Sequence, residues 1–195
     1  MKNKWKISAT ALVLLCGICL PAAAIEGVDQ IYTKPLPNLS LVLDPQLMDD
    51  TYSFHVAAQI YDTLFKFDEF MSIQPNLVGS YQVTGNGQII TLNLRHNIRF
   101  HNGKMLNADD VLYTIQRFIK QAYDRYPELL NIKGAEEFIN GRADSVSGLN
   151  KLSTWSLEIT LNAPSPTFIM LLATPSTGIM PSGTNGNNKL PVGTG

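Results

Sequence analysis

The run from Leu92 to Val111 constrains this chain more than any other stretch, because it spells a strand, a tight turn and a capped helix in immediate succession. Ile90, Leu92 and Leu94 alternate with Thr91, Asn93 and Arg95, so a strand over 89–94 has one apolar face and one wet face. Asn102-Gly103 is a turn pair. Asn107 sits where a helix N-cap belongs, and Asp109 and Asp110 follow in the first turn, where carboxylates meet the positive end of the helix dipole. Val111, Ile115 and Phe118 recur at i, i+4 and i+7, which predicts an amphipathic helix to about Lys120. A half-wet strand and a one-striped helix bury their apolar sides against other elements, so the fold class is mixed α/β (α+β).

The same reasoning extends along the chain. A helix is expected over 51–65, capped by Asp49 or Asp50, from Ala57, Ile60 and Leu64 at helical spacing. A strand over 80–83 turns through Gly85-Asn86-Gly87 into the strand at 89–94, since these turn residues tolerate positive φ. A further helix over 133–140 is stopped by Gly141, and 155–162 alternates as a half-buried strand. Ser165 caps a helix opened by Pro166 and filled by Phe168, Met170, Leu171 and Leu172. Tyr61, Phe65, Phe100, Phe118 and Trp155 are read as core. Nearer the start, 29–33 reads as a short strand, and Lys34-Pro35-Leu36-Pro37 forces an extended loop. Residues 182–188 offer little to bury, and 182–195 is expected to stay mobile while about 43–180 folds.

Residues 1–24 have the layout of a secretory signal. Lys2, Lys4 and Lys6 precede an apolar stretch over 7–20, and Ala22-Ala23-Ala24 supplies small residues for cleavage after Ala24. The stretch is short of the roughly 20 residues that span a bilayer. Both cysteines, Cys16 and Cys19, fall inside it, so the mature chain has no thiol for a disulfide or a metal. Leu15 and Ile18 precede them where lipid attachment needs a small residue. Cleavage leaves 12 Lys and Arg against 16 Asp and Glu, an acidic balance without the basic stripe that a nucleic-acid partner requires.

No chemistry of catalysis emerges. His55, His96 and His101 lack zinc-site spacing, so no metal and no cofactor is expected. Asp109-Asp110 reads as helix-start charge rather than an acid–base pair, and His101 as part of a structural turn. Ser145-Val146-Ser147-Gly148 does not meet the Gly-x-Ser-x-Gly nucleophile pattern, and no helix or lysine follows Gly193-Thr194-Gly195 to make a phosphate loop.

A series of short motifs, in order, carries a resemblance. They are Leu43-Asp44-Pro45, Ile60-Tyr61-Asp62-Thr63-Leu64-Phe65, Gln74-Pro75-Asn76-Leu77-Val78, Phe100-His101-Asn102-Gly103 and Asn107-Ala108-Asp109-Asp110-Val111. Gly134-Ala135-Glu136-Glu137-Phe138, Gly141, Gly148, Ile159-Thr160-Leu161 and Pro191-Val192-Gly193-Thr194-Gly195 complete the series. Together they resemble extracytoplasmic solute-binding protein family 5, the peptide- and nickel-binding receptors of ABC importers. The resemblance implies a periplasmic-binding-protein type II fold in which two lobes close over a ligand. Here that fold is expected to be incomplete: a first-lobe strand over 25–42, the inserted subdomain over 43–180, and a return into the first lobe over 181–195.

What the resemblance implies for function is a periplasmic receptor, not an enzyme. It takes an oligopeptide or dipeptide ligand, docks on a membrane ABC permease and acts as a monomer. Nickel chelate, haem or another small solute is an alternative ligand, and a remnant without a transport role is the rival reading. By analogy, Tyr32, Thr33, Thr194 and Gly195 face the interlobe crevice, where backbone groups would hydrogen-bond an extended peptide.

Overall fold

A four-stranded antiparallel sheet with one long helix laid across it organises the computed structural model, which describes residues 41–184 and 191–195. These residues belong to a single compact unit, Asn38–Gly195. In chain order the helices are α1 (Thr51–Ile60), α2 (Ala108–Ala122), α3 (Ala135–Ile139) and α4 (Phe168–Leu171). The strands are β1 (Phe65–Phe67), β2 (Ile73–Pro75), β3 (Val78–Thr84), β4 (Ile89–Leu94), β5 (Leu149–Ser153) and β6 (Ser156–Thr160). The large sheet runs β3-β4-β6-β5, and β1 and β2 form a separate small hairpin.

Strand β4 occupies the predicted residues, and Ile90, Leu92 and Leu94 are all buried. It pairs with β3 on one side, Tyr81 opposite Leu92, and with β6 on the other, Leu92 opposite Leu157. The β3–β4 turn takes positive φ at Gly85, Asn86 and Gly87, which explains its composition. Helix α2 carries the predicted cap in full. The Asn107 side chain accepts from the Asp109 and Asp110 N–H groups, and the Asp110 carboxylate accepts the Asn107 N–H in return. Val111, Ile115, Phe118 and Ile119 then pack into one core with Leu92, Leu157 and Ile159. Tyr61, Phe65, Phe100 and Phe118 are buried as expected.

Several expectations need correction. The first helix ends at Ile60, not at 65: the Tyr61 N–H still bonds to the Ala57 carbonyl, but Tyr61 itself is extended. Beyond it the backbone is committed elsewhere, with the Phe65 N–H on Leu172 and the Leu64 carbonyl taken by Asn76 and Val78. Asp50, rather than Asp49, is the cap. Helix α3 is shorter than 133–140, because Gly134 is left-handed and the Lys133 backbone pairs with Thr160 and Gly148. Ser165 and Pro166 lie outside α4, whose N-cap is Thr167 with no side-chain cap bond. Trp155 is only half-buried and stacks on His96 at 5.0 Å. Where it is described, the tail makes contacts with the fold: the Ser182 N–H binds the buried Asp110 carboxylate at 2.7 Å, and 191–195 is hydrogen-bonded to the fold. The signal sequence at 1–24, the strand at 29–33 and residues 185–190 lie outside the described residues.

Candidate functional site

The C-terminal end of α1 is where segments from four parts of the chain converge. The Asp50 side chain accepts the Tyr52 and Ser53 N–H groups and starts the helix; the Ser53 hydrogen bond holds its carboxyl below the usual carboxylate range. At the other end the chain leaves extended through Tyr61, Asp62 and Thr63. The Asp62 carboxylate accepts from the Thr194 hydroxyl at 2.9 Å and from the Asn76 amide at 3.3 Å, while its carbonyl accepts the Ile179 N–H at 2.9 Å. The segment Pro191–Gly195 lies against this end. The Gly195 N–H donates to the Ile60 carbonyl at 3.0 Å, and a Cβ on Gly193 would stand 1.9 Å from that same carbonyl oxygen. Only glycine permits so close an approach.

The turn before α2 holds the segment from its other side. The His101 N–H donates to the Gly193 carbonyl at 2.9 Å, and the His101 ring lies 2.7 Å from the Gly195 carbonyl oxygen. Gly103, at φ 83°, donates its N–H to Phe100 and closes the turn. Lys104 follows, bonded to the Asp110 carboxylate at 2.5 Å and to the Ser182 hydroxyl at 2.9 Å. One turn therefore holds both Ser182 and the Gly193–Gly195 segment.

A buried ionic network fixes the strand of chain entering α1. Arg117 of α2 grips Asp44 through both guanidinium nitrogens, at 2.9 and 2.5 Å, and also reaches the Gln46 side chain. Gln46 donates to the Thr114 carbonyl at 2.8 Å, and Arg125 donates to the carbonyls of Gln46 and Met48. Tyr61 joins through its hydroxyl, which donates to the Leu43 carbonyl at 3.1 Å. Burial, reinforced by the Asp44 charge, pushes the Tyr61 hydroxyl up to about 12.

The expected site residues are divided by these observations. Tyr32 and Thr33 lie outside the described residues. Thr194 and Gly195 are brought together with Asp62, Ile60 and His101, and the Thr194 hydroxyl and both Gly195 backbone groups are engaged within the chain. Asp62, His101, Asp44 and Arg117 carry the arrangement without having been singled out for it. Asp44 and Arg117 are 73 residues apart, a pairing no local pattern signals. Beside the site a cleft of about 280 Å³ is lined by Tyr61, Asp62, Lys66 and Asn76 among others, and its chemistry is hydrogen bonding with one carboxylate and one ammonium. Among the described residues no three His, Cys, Asp or Glu side chains converge on a metal position, and no helix is long and apolar enough to cross a membrane.

Residues 72–195 match the model of the bacterial extracellular solute-binding proteins, family 5 Middle. The chain belongs to that family. Among curated family 5 relatives, the dipeptide-binding protein of Lactococcus lactis is 27% identical over 179 residues, covering 90% of this chain and 32% of its own. The glutathione-binding protein GsiB of Escherichia coli K12 is 32% identical over 194 residues, covering 96% of this chain and 33% of its own. Among solved structures, the murein tripeptide-binding protein MppA of Escherichia coli aligns with a TM-score of 0.68 at 23% identity, over 78% of this chain and 32% of that one. The oligopeptide-binding protein OppAIV of Borrelia burgdorferi aligns at 0.64 with 27% identity, over 71% and 29%. The family 5 chain thus spans about a third of the length of the relatives it matches, and its mixed α/β architecture is part of their type II solute-binding fold.

Proposed function

We propose that this chain is the ligand-capturing component of an ABC importer, acting outside the cytoplasm and taking peptides. The observation that carries the reading is the match over 72–195 to a family of binding proteins, together with the peptides named for its relatives: a dipeptide, glutathione, a murein tripeptide and oligopeptides. In this reading 1–24 is a cleaved signal, 25–42 the first strand of the first lobe, 43–180 the inserted subdomain and 181–195 the return into that lobe. Tyr32, Thr33, Thr194 and Gly195 then border the crevice in which an extended peptide is held before delivery to the membrane permease. The monomer binds and releases; it does no bond-breaking chemistry.

A pocket closed from both sides gains affinity by burying most of the ligand surface, whereas one face alone leaves the ligand half solvated. For this span of chain the expected affinity for a short peptide is therefore modest. Isothermal titration of the secreted chain with a pool of two- to five-residue peptides tests the reading, and heats fitting a micromolar to millimolar constant support it. Absence of heat across the pool favours the second reading, a chain without a binding role. Sequencing the amino terminus of the exported product tests the signal; a first residue other than Ile25 rejects cleavage after Ala24.

A further inference from the structure

His101 makes two side-chain contacts of opposite sense with one short segment. Its Nε2 lies 2.7 Å from a main-chain oxygen of Gly195, the last residue of the 195-residue chain, and that oxygen can only accept, so Nε2 carries a proton. Its Nδ1 accepts the N–H of Gly193 at 3.4 Å, so Nδ1 keeps a lone pair. One state of the ring satisfies both: neutral, with its hydrogen on Nε2. The third contact, from the His101 N–H to the Gly193 carbonyl, sets the register whatever the ring does. Close packing of Gly193 on Ile60 leaves the segment no room to slide and keep these bonds.

We propose that His101 is a proton-sensitive latch that seats Pro191–Gly195 against the end of α1. A second proton, placed on Nδ1, sets donor against donor at the Gly193 N–H. The Gly195 contact survives that step and gains charge assistance. Protonation therefore frees one end of the seat and tightens the other, which re-aims the segment rather than releasing it. Among the described residues, the charged groups around the ring are the α-carboxylate that Gly195 carries in the 195-residue chain, Arg99 and Lys104 in the same turn, Asp110 on α2 and Asp62 beyond α1. Arg99 donates to the Gly103 carbonyl, Lys104 is tied to Asp110, and Asp62 accepts from Thr194 and Asn76. Among the described residues the ring's hydrogen-bond partners are main-chain atoms of Gly193 and Gly195, so its charge state is read directly by that segment. The latch is independent of which solute the protein takes.

Nuclear magnetic resonance of the ¹⁵N-labelled full chain tests it. While the ring is neutral, the imidazole ¹⁵N shifts should report a protonated Nε2 and a bare Nδ1. As the ring takes its second proton, Gly193 amide exchange, corrected for intrinsic pH dependence, should rise about 3- to 10-fold, the worth of one modest hydrogen bond. The Gly195 amide, bonded to Ile60, should keep its protection. His101→Asn places an acceptor near Nδ1 and should hold Gly193 protection at every pH. His101→Gln places a donor near Nε2 and should leave Gly193 exchanging fast at every pH. A hydrogen on Nδ1 of the neutral ring overturns the proposal, as does Gly193 protection that ignores ring titration or a wild-type pH response in His101→Asn. Should either variant fail to fold, the shifts and exchange of the unaltered chain decide.

Discussion

Truncating Arg117 to alanine removes the side chain that grips both oxygens of Asp44 and leaves that carboxylate, whose side chain is 6% exposed, beside α2 without this counter-ion. The Gln46 N–H still donates to Asp44 at 3.1 Å, so the charge is not wholly stranded. Breaking a buried pair from one side costs ~3–5 kcal/mol, and the surviving bond places this case near ~3 kcal/mol. Against a total of ~5–15 kcal/mol for a domain, that is a large fraction. With a urea slope of ~2 kcal/mol per M, the midpoint should fall by ~1.5 M. Urea melts followed by far-ultraviolet circular dichroism measure this directly. The surface pair Lys151–Asp109, with side chains 42% and 52% exposed, serves as control, since Lys151→Ala should cost under ~1 kcal/mol. The double variant Asp44→Leu/Arg117→Met should be less destabilised than Arg117→Met alone, because no orphaned charge remains. An Arg117→Ala midpoint within ~0.5 M of wild type would refute the argument that this network holds the entry to α1.

Three further outcomes follow from the geometry. Asp110→Ala removes the reciprocal cap, the Lys104 bridge and the acceptor for the Ser182 N–H, and should cost ~2 kcal/mol in a thermal or urea melt, with faster exchange of the Ser182 amide. Gly193→Ala forces a methyl group into the Ile60 carbonyl, so the His101 and Gly195 amides should lose protection while the β4 amides keep theirs. Tyr61 keeps its proton in the folded chain up to about 12, whereas the unfolded chain releases it near ~10. Its contribution is complete below the unfolded value and is lost as pH rises through the folded one, so stability should decline across that alkaline window. Tyr61→Phe should flatten the decline, and an unchanged slope would contradict the assignment.

The share of this fold legible in the sequence follows how local each interaction is. The cap Asn107-x-x-Asp110 and the stripe Val111, Ile115, Phe118 are written within twelve residues, and α2 forms where they say. The same holds for β4 and its glycine turn. The overrun of α1 has a different origin. Leu64 continues the apolar spacing, yet its carbonyl is claimed by Asn76 and Val78, so sheet pairing outweighs helical periodicity there. Strand β5 has no signal in the sequence, because only Leu149 of its five residues is buried, which leaves no alternation to read. At the candidate site, Thr194, Gly195, Asp62 and His101 all lie in short motifs, but nothing in the sequence says that these motifs meet.

From its residues alone this chain determined its mixed α/β class, its capped helix, its central strand and its likeness to family 5, because each rests on spacing within one element or on short ordered motifs. The tertiary structure decided what those elements hold together: Arg117 on Asp44 across 73 residues, Thr194 on Asp62 across 132, and the His101 ring on Gly195 across 94. Side-chain reach is a few ångströms, and such distances along the chain become contacts only once the sheet and helix have packed.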